Sequence, residues 1–222
     1  DYAWDHALAA PEVLASIANV PGLAQRLSPA KVYKCPPSRW KVGSPTLLPK
    51  WKAPGLKWRL VINKASSPCC LIHSLASRGI DAVLDALPIH QWSDFGSPLD
   101  FISDCKRFNE AIQARFGDQF CAASAAADMA DCFHHLPVDG LAAIWQEACS
   151  QPELAGYNCI SVPRSKGVSC QLGRVERPGW VCFAFDEIVT ILKHFAETNF
   201  VIVEGLVGRE LRGAPMGDPL SN

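Results

Sequence analysis

Residues 13–80 contain no aspartate or glutamate, and this stretch limits the folds open to the chain more than any other feature. Prolines interrupt its central part and exclude a long helix there, because proline removes a backbone donor and breaks helices. These prolines are Pro36, Pro37, Pro45, Pro49 and Pro54. The stretch also carries eleven basic side chains, namely Arg26, Lys31, Lys34, Arg39, Lys41, Lys50, Lys52, Lys57, Arg59, Lys64 and Arg78. The sequence therefore predicts a basic region that begins as short extended pieces.

The charge of the whole chain hides this asymmetry. Lys and Arg total 21 and Asp and Glu total 22, for a net charge of −1 over 222 residues. A basic cluster followed by an acidic body favours binding to a polyanion, and a solvated surface is the alternative. The chain is long enough for one large domain or two small ones. The longest uncharged stretches are shorter than the roughly 20 apolar residues of a spanning helix, so we expect no membrane partner.

A β-hairpin is the first element predicted within the basic region. Leu56–Ile62 is typical of a strand that is entered from the turn at Pro54 and Gly55. The arms of this hairpin carry Lys52 and Arg59, and both side chains would project from a two-stranded ribbon. The cations are interleaved with Trp40, Trp51 and Trp58.

Hydrophobic periodicity predicts a mixture of helices and strands in the rest of the chain. We expect helices at residues 67–87, 101–116, 138–149 and 186–199, with Ile188, Ile191, Leu192 and Phe195 facing inward in the last. Residues 200–212 alternate like a hairpin around Gly205 and Gly208, and residues 151–178 are expected to be rich in loops. Residues 119–129 are interpreted as a strand, with a helix as the alternative because alanines have poor β propensity. The absence of a regular βαβ pattern favours an α+β fold.

The ten cysteines form neither a C-x-x-C pattern nor a zinc spacing. At under 5% of the residues they are sparser than in small disulfide-stapled scaffolds. We interpret them as buried thiols of an intracellular protein in a reducing compartment; Cys121 and Cys132 lie in apolar surroundings. The histidines show no metal-binding spacing either. The adjacent pair His134 and His135 would point to opposite sides of an extended segment.

Residues 128–137, DMADCFHHLP, form the first segment that suggests chemistry. If the preceding run is a strand, Asp128 lies at its carboxyl end, with a second carboxylate at Asp131. Mg²⁺ prefers such hard oxygen ligands. The alternative is that Asp128 forms a turn or caps a helix.

Residues 213–221, GAPMGDPLS, form the second segment. Two glycines and two prolines predict a stiff turn whose backbone can approach a flat ligand closely. It is not a phosphate-binding P-loop, because no Gly-Lys-Ser/Thr follows. A plain connecting turn is the alternative.

Together these segments resemble the palm of reverse transcriptases. Residues 128–137 are similar to the family's motif D-x-x-x-x-[F/Y]-x-x-[I/L/V]-P, and residues 213–221 to G-x-P-x-G-x-x-x-S. Upstream, residues 57–61, KWRLV, resemble the fingers hairpin. The resemblance implies a right-hand polymerase fold in which residues 1–44 are unassigned, residues 45–118 form basic fingers, and residues 119–222 form a partial palm. RNA-dependent RNA polymerases differ because they usually place an aspartate where this chain has Phe133.

The resemblance assigns chemistry to the first palm segment. Asp128 would be the catalytic residue and would bind two Mg²⁺ ions, for which Mn²⁺ is a substitute, with the Met129 carbonyl as a further ligand. Asp131 and the backbone around Cys132 would line the pocket for the incoming nucleotide. Phe133 would lie under the sugar and leave no space for a 2′-hydroxyl, so it would favour deoxynucleotides.

The resemblance also assigns nucleotide contacts elsewhere. Lys52 and Arg59 would neutralise the triphosphate through charge-assisted contacts. Pro215, Met216 and Gly217 would pack near the nascent base pair, although many members of the family have glutamine at the position of Met216. The implied partners are a template–primer duplex and deoxynucleoside triphosphates.

The family's next motif, aromatic-x-Asp-Asp, is absent from these 222 residues. The resemblance therefore implies a fragment of an RNA-directed DNA polymerase from a retroelement, with the remaining metal ligands beyond Asn222. The alternative is a catalytically dead or domesticated domain that binds nucleic acid without catalysis.

Overall fold

The computed structural model describes residues 2–5, 10–28, 32–52, 55–87, 98–117, 140–210 and 218–221. The chain divides into two compact units, one formed by residues 1–87 with 131–222 and the other by residues 88–130. The helices are α1 (Ala10–Ala18), α2 (Leu23–Arg26), α3 (Cys70–Ala86), α4 (Pro98–Phe116), α5 (Leu141–Cys149) and α6 (Phe185–Glu197). The strands are β1 (Tyr2–Asp5), β2 (Ser44–Lys52), β3 (Gly55–Asn63), β4 (Cys159–Pro163), β5 (Gln171–Leu172), β6 (Trp180–Ala184), β7 (Phe200–Val203) and β8 (Leu206–Glu210).

The strands of the first unit form three small antiparallel sheets, ordered β1-β8-β7, β2-β3 and β5-β4-β6. Helices and antiparallel strands are therefore mixed in one unit, and the predicted α+β class is confirmed. The domain boundaries at residues 44/45 and 118/119 stay predictions.

The predicted hairpin is present as the pair β2–β3, which we call the basic ribbon (residues 44–63). Its register runs from Ser44 opposite Asn63 to Lys52 opposite Gly55. A two-stranded ribbon has only outer edges, so it tolerates Pro45 and Pro49 where a central strand would lose ladder hydrogen bonds.

The core of the first unit lies where α3 and α6 pack with the sheet that contains β4. The predicted helix at residues 67–87 is present as α3, and Ile72, Leu75 and Val83 are buried. A Cβ at Gly79 would lie 3.3 Å from a methyl group of Ile160 and 3.3 Å from one of Val162. The small residue therefore permits the close packing of α3 on β4.

Residues 151–178 are rich in loops, as expected, but they also contain β4, which is buried and central in its sheet. Its five residues are too few to define a period, and its polar side chain, Ser161, is buried and donates a hydrogen bond of 2.7 Å to the Gly173 carbonyl. The sequence interpretation also missed β1, α1 and β6.

The predicted helix at residues 186–199 is present as α6, and all four side chains expected to face inward are buried. Glu187 caps its first turn by accepting a hydrogen bond of 2.8 Å from the Ala184 backbone N–H. The predicted hairpin follows as β7–β8, with its turn at Glu204 and Gly205, both at positive φ. Gly208 lies within β8 rather than in the turn.

The basic ribbon joins the rest of the first unit through β7. The Ile202 N–H donates a hydrogen bond of 2.8 Å to the Gly43 carbonyl, and Gly43 forms a parallel bridge with Val201. A Cβ at Gly43 would lie only 2.7 Å from the Ile62 Cγ2, so a larger residue would collide with the base of the ribbon.

In the second unit the structure describes α4, which contains the predicted helix at residues 101–116. Spacing of three residues places Ile102, Cys105 and Phe108 on one face of this helix, and that face is exposed: Ile102 and Phe108 are 49% and 57% accessible, and Cys105 is exposed too. The eight described cysteines are free thiols. The expectation that they are buried holds for Cys69 and is wrong for Cys105, which lies on this open helix face. No described helix is long and apolar enough to cross a membrane.

Candidate functional site

The basic ribbon holds two of the residues that sequence reasoning placed at a functional site. Lys52 lies opposite Gly55 and Arg59 opposite Leu48, so both stand in one continuous ladder. The remaining site residues lie outside the described part of the chain: Asp128, Met129, Asp131, Cys132, Phe133, Pro215, Met216 and Gly217. The strand predicted at residues 119–129 lies outside it as well.

The register of the basic ribbon places Lys50 directly opposite Lys57. Both lysines are exposed, and residues 44–63 contain no acidic residue. Because side chains alternate along a strand, the positions of Lys52 and Arg59 lie on the same side of the ribbon as Lys50 and Lys57. Like charges directly opposite each other destabilise a ladder. This side of the ribbon therefore concentrates positive charge that the ribbon itself does not neutralise.

The opposite side of the basic ribbon is apolar and also exposed. Trp51 is 83% accessible and Trp58 61%, with the half-exposed Leu47 and Leu56 beside them. Proteins that bind nucleic acid without sequence preference combine basic grooves with exposed aromatic rings on which bases stack. One side of the ribbon supplies basic side chains, and the other supplies exposed aromatic rings.

Not every cation of residues 13–80 is available to a ligand. Arg26 forms a bidentate ion pair with Glu187 on α6: its Nε donates to Oε1 at 2.5 Å, and its Nη2 donates to Oε2 at 2.8 Å. The Arg78 guanidinium donates to the carbonyls of Pro163 and Val168. Lys64 is buried. Outside these contacts, the cations whose side chains are described as exposed are Lys34, Arg39, Lys41, Lys50 and Lys57, so the basic surface is smaller than the composition predicts.

Asp218 is the centre of a second group of polar side chains, which lies in the interior. Both carboxylate oxygens lie 3.0 Å from the His73 Nδ1, and the Lys64 Nζ lies 3.7 Å from Oδ2. The Leu220 backbone N–H donates to Oδ1 at 3.0 Å. Burial alone would raise the pKa of Asp218, but attraction to His73, its hydrogen bond and the Lys64 charge lower that pKa to about 2.

Lys64 completes what we call the buried polar network (Lys64, His73, Asn199 and Asp218). Its ammonium donates to the Asn199 Oδ1 at 2.7 Å and lies 5.8 Å from the centroid of the Phe195 ring. Lys64 directly follows β3, and Asn199 lies between α6 and β7. The network therefore connects the base of the basic ribbon to α3, α6 and the short 3₁₀ turn Pro219–Ser221.

A thiol–imidazole cluster (Cys69, His73 and His194) adjoins this network. One ligand atom from each residue lies within 4.8 Å of those of the other two, and all three residues are buried. Burial, followed by the Asp218 charge, raises the pKa of Cys69 to about 12, and burial lowers the pKa of His194. The His73 Nε2 is buried and has no hydrogen-bond partner within the described part of the chain. Sequence reasoning missed this cluster because its histidines belong to different helices.

Comparison with protein-family models, with curated proteins and with solved structures finds no match to this chain. Support for a function therefore comes from the sequence motifs and from the geometry of the basic ribbon and the buried polar network.

Proposed function

We propose that this chain is the fingers and the first part of the palm of a reverse-transcriptase-like polymerase. The observation that carries the proposal is the exposed pair Lys50 and Lys57, set directly opposite each other in the ladder that also contains Lys52 and Arg59. A triphosphate or a nucleic-acid backbone would neutralise this side of the basic ribbon. Neutralisation converts an unfavourable pairing into charge-assisted contacts.

The second support is the link between the ribbon and the glycine–proline segment. Residues 213–217 are followed at once by Asp218, which is tied to His73 and to Lys64. Lys64 directly follows β3. Asp218, the described residue that directly follows this segment, thus ties its own carboxylate to the base of the ribbon expected to hold the triphosphate.

In the proposed reaction the primer 3′-hydroxyl attacks the α-phosphate of a deoxynucleoside triphosphate, and pyrophosphate leaves. Asp128 and the Met129 carbonyl would be ligands of Mg²⁺, since both offer the hard oxygen atoms that this ion prefers. When bound, two Mg²⁺ ions would activate the hydroxyl and stabilise the leaving group. Asp131, Cys132 and Phe133 would form the pocket for the sugar.

Lys52 and Arg59 would hold the phosphates of the nucleotide, and Pro215, Met216 and Gly217 would pack near its base. The partners of the complete protein would be a template–primer duplex and deoxynucleoside triphosphates. The metal ligands still needed would come from an aromatic-x-Asp-Asp segment.

Salt-dependent binding of this chain to an RNA–DNA primer–template duplex tests the role of the ribbon. Each phosphate contact contributes a slope of about −0.9 to log K against log salt concentration. The double variant Lys50→Ala/Lys57→Ala should therefore flatten the slope by about two. The matched control is Lys166→Ala/Lys193→Ala, which removes two exposed cations elsewhere. Binding that does not depend on salt, or equal effects of both variants, contradicts the proposal.

Primer extension on an RNA template tests the catalytic part, in a protein that continues through an aromatic-x-Asp-Asp segment. Asp128→Ala should abolish incorporation and leave duplex binding intact. Full incorporation by Asp128→Ala overturns the assignment. Salt-dependent binding without any incorporation by the parent protein would instead support the alternative, a domain that binds nucleic acid without catalysis.

A further inference from the structure

The thiol–imidazole cluster contains one polar atom that the fold leaves unexplained. His73 is 4% exposed, and its Nε2 has no hydrogen-bond partner among the described residues. An unmade hydrogen bond at a buried nitrogen destabilises the folded state. Such an atom in the interior of a protein indicates a ligand or a water that completes it.

The other two members of the cluster have partners at the end of α1. The Cys69 thiol donates to the Ile17 carbonyl at 2.6 Å, and the His194 Nε2 lies 3.2 Å from the Ser16 carbonyl. Both carbonyls belong to the last turn of α1, where a helix end leaves acceptors without intrahelical donors, and the Ser16 carbonyl also accepts the Asn19 N–H at 3.2 Å. Helix capping therefore accounts for Cys69 and His194, but it gives no role to the His73 Nε2.

Asp218 orients the His73 ring. A carboxylate accepts hydrogen bonds, so in the neutral imidazole its contact with Nδ1 places the proton on that nitrogen and the lone pair on Nε2. A histidine held by a carboxylate through one nitrogen, with its other nitrogen free, is the usual arrangement of a metal ligand and its supporting group. Cys69 lies four residues before His73, on the same side of the start of α3.

We propose that Cys69, His73 and His194 bind a divalent transition metal ion, with Zn²⁺ as the best fit to one sulfur and two imidazole ligands. The fourth position of a tetrahedral site would be filled by water or a small ligand. Binding forms one Zn–S and two Zn–N bonds and releases the Cys69 thiol proton to solvent. The donor set is too soft for Mg²⁺, so this site is distinct from the oxygen ligands proposed around Asp128.

The geometry requires only a local rearrangement. A tetrahedral zinc ion with bonds of about 2.0–2.3 Å holds its ligand atoms about 3.5 Å apart. One possible donor atom from each of the three residues already lies within 4.8 Å of those of the other two. The thiol would give up the Ile17 carbonyl for the metal. The ion would then join α3 to α6 near the end of α1, at the side of the buried polar network.

Titration of the metal-free, reduced chain with Co²⁺ tests the proposal directly. We expect one equivalent to bind with a thiolate-to-cobalt charge-transfer band, and Zn²⁺ to displace it. Cys69→Ser should remove the band, whereas the matched variant Cys70→Ser, which changes the neighbouring thiol, should keep it. Asp218→Asn, which frees the His73 ring, should weaken binding about 10–100-fold while the band persists.

X-ray absorption of the zinc-loaded wild-type chain gives a readout that does not depend on how well the variants fold. The expected inner shell contains one sulfur and two imidazole nitrogens. No stoichiometric binding of Zn²⁺ or Co²⁺ by the wild-type chain overturns the proposal. An inner shell without sulfur, or an unchanged band in a folded Cys69→Ser variant, overturns it as well.

Discussion

Lysine side chains are exposed to water in the basic ribbon, whereas the lysine of the buried polar network lies in the interior beside polar partners. In the ribbon, Lys50 and Lys57 face each other in water with no acid in the same hairpin. In the network, Lys64 is 7% exposed and lies beside a carboxylate and an amide oxygen. Solvent makes the first arrangement tolerable, whereas burial makes a partner obligatory for the second. Cations left uncompensated at the surface suggest a ligand, and compensated cations in the interior suggest architecture.

Loss of the Asp218 charge should have the largest effect on stability, because it removes the counter-charge of Lys64 in the buried polar network. Asp218→Asn leaves Lys64 in the interior without its counter-charge, and breaking a buried pair in this way costs several kcal/mol. We expect the free energy of unfolding to fall by about 3 kcal/mol, as measured by urea denaturation. Asp85→Asn, at an exposed position of α3, should change it by less than about 0.5 kcal/mol. A similar small effect at Asp218 would contradict the network as described.

The joint between the ribbon and the rest of the first unit offers a second test. Gly43→Ala places a methyl group 2.7 Å from the Ile62 Cγ2, and Ile62 is buried. Overpacking of this kind costs about 2 kcal/mol. The matched control is Gly55→Ala, because a Cβ there meets nothing within 4 Å. Equal unfolding midpoints for the two variants would show that the ribbon is not anchored at Gly43.

Acid should act on the network through Asp218. Its pKa is about 2 in the folded chain and about 3.9 in an unfolded one. A lowered pKa in the folded state means that the carboxylate stabilises the fold fully above pH 5 and loses this contribution as the pH falls through 4 towards 2. The loss is about 2 kcal/mol.

The pH dependence of the difference between wild type and Asp218→Asn isolates this group from the other carboxylates. In the metal-free chain the difference in unfolding free energy should be constant above pH 5 and should shrink between pH 4 and pH 2. A difference that is unchanged at pH 2 would mean that Asp218 is not ionised in the folded chain.

The ribbon could be predicted from the sequence, because the sequence features that define it lie close together along the chain. Prolines, the Pro54-Gly55 turn and alternation in Leu56–Ile62 define a hairpin whatever surrounds it. The helix α6 was predictable for a similar reason, since its apolar residues repeat with the helical period. The strand β4 was not, because its five residues are too few to define a period and its polar residue, Ser161, is buried in the structure.

The interior sites could not be predicted, because their residues meet only through the tertiary fold. Lys64 is one of the eleven basic side chains of residues 13–80, and nothing near it in sequence shows that Asn199 and Asp218 lie beside it. His73 and His194 lie on different helices and form no local metal spacing. The motif around Asp128 is predicted from sequence alone, and its residues lie outside the described part of the chain.

Reversal of one ribbon charge should change the stability of the fold and its affinity for nucleic acid in opposite directions. Lys57→Glu places an acid directly opposite Lys50, so it replaces a repulsive cross-strand pair with an attractive one. The free energy of unfolding should rise by about 0.5 kcal/mol. Affinity for a primer–template duplex at low salt should fall about tenfold, because one phosphate contact is replaced by repulsion. Lys166→Glu reverses an exposed charge outside the ribbon and should change neither quantity by as much. If Lys57→Glu raises the free energy of unfolding and lowers the affinity for the duplex, the ribbon keeps an unfavourable charge pair because a polyanion uses it. If both stability and affinity fall, the pair has only a structural role.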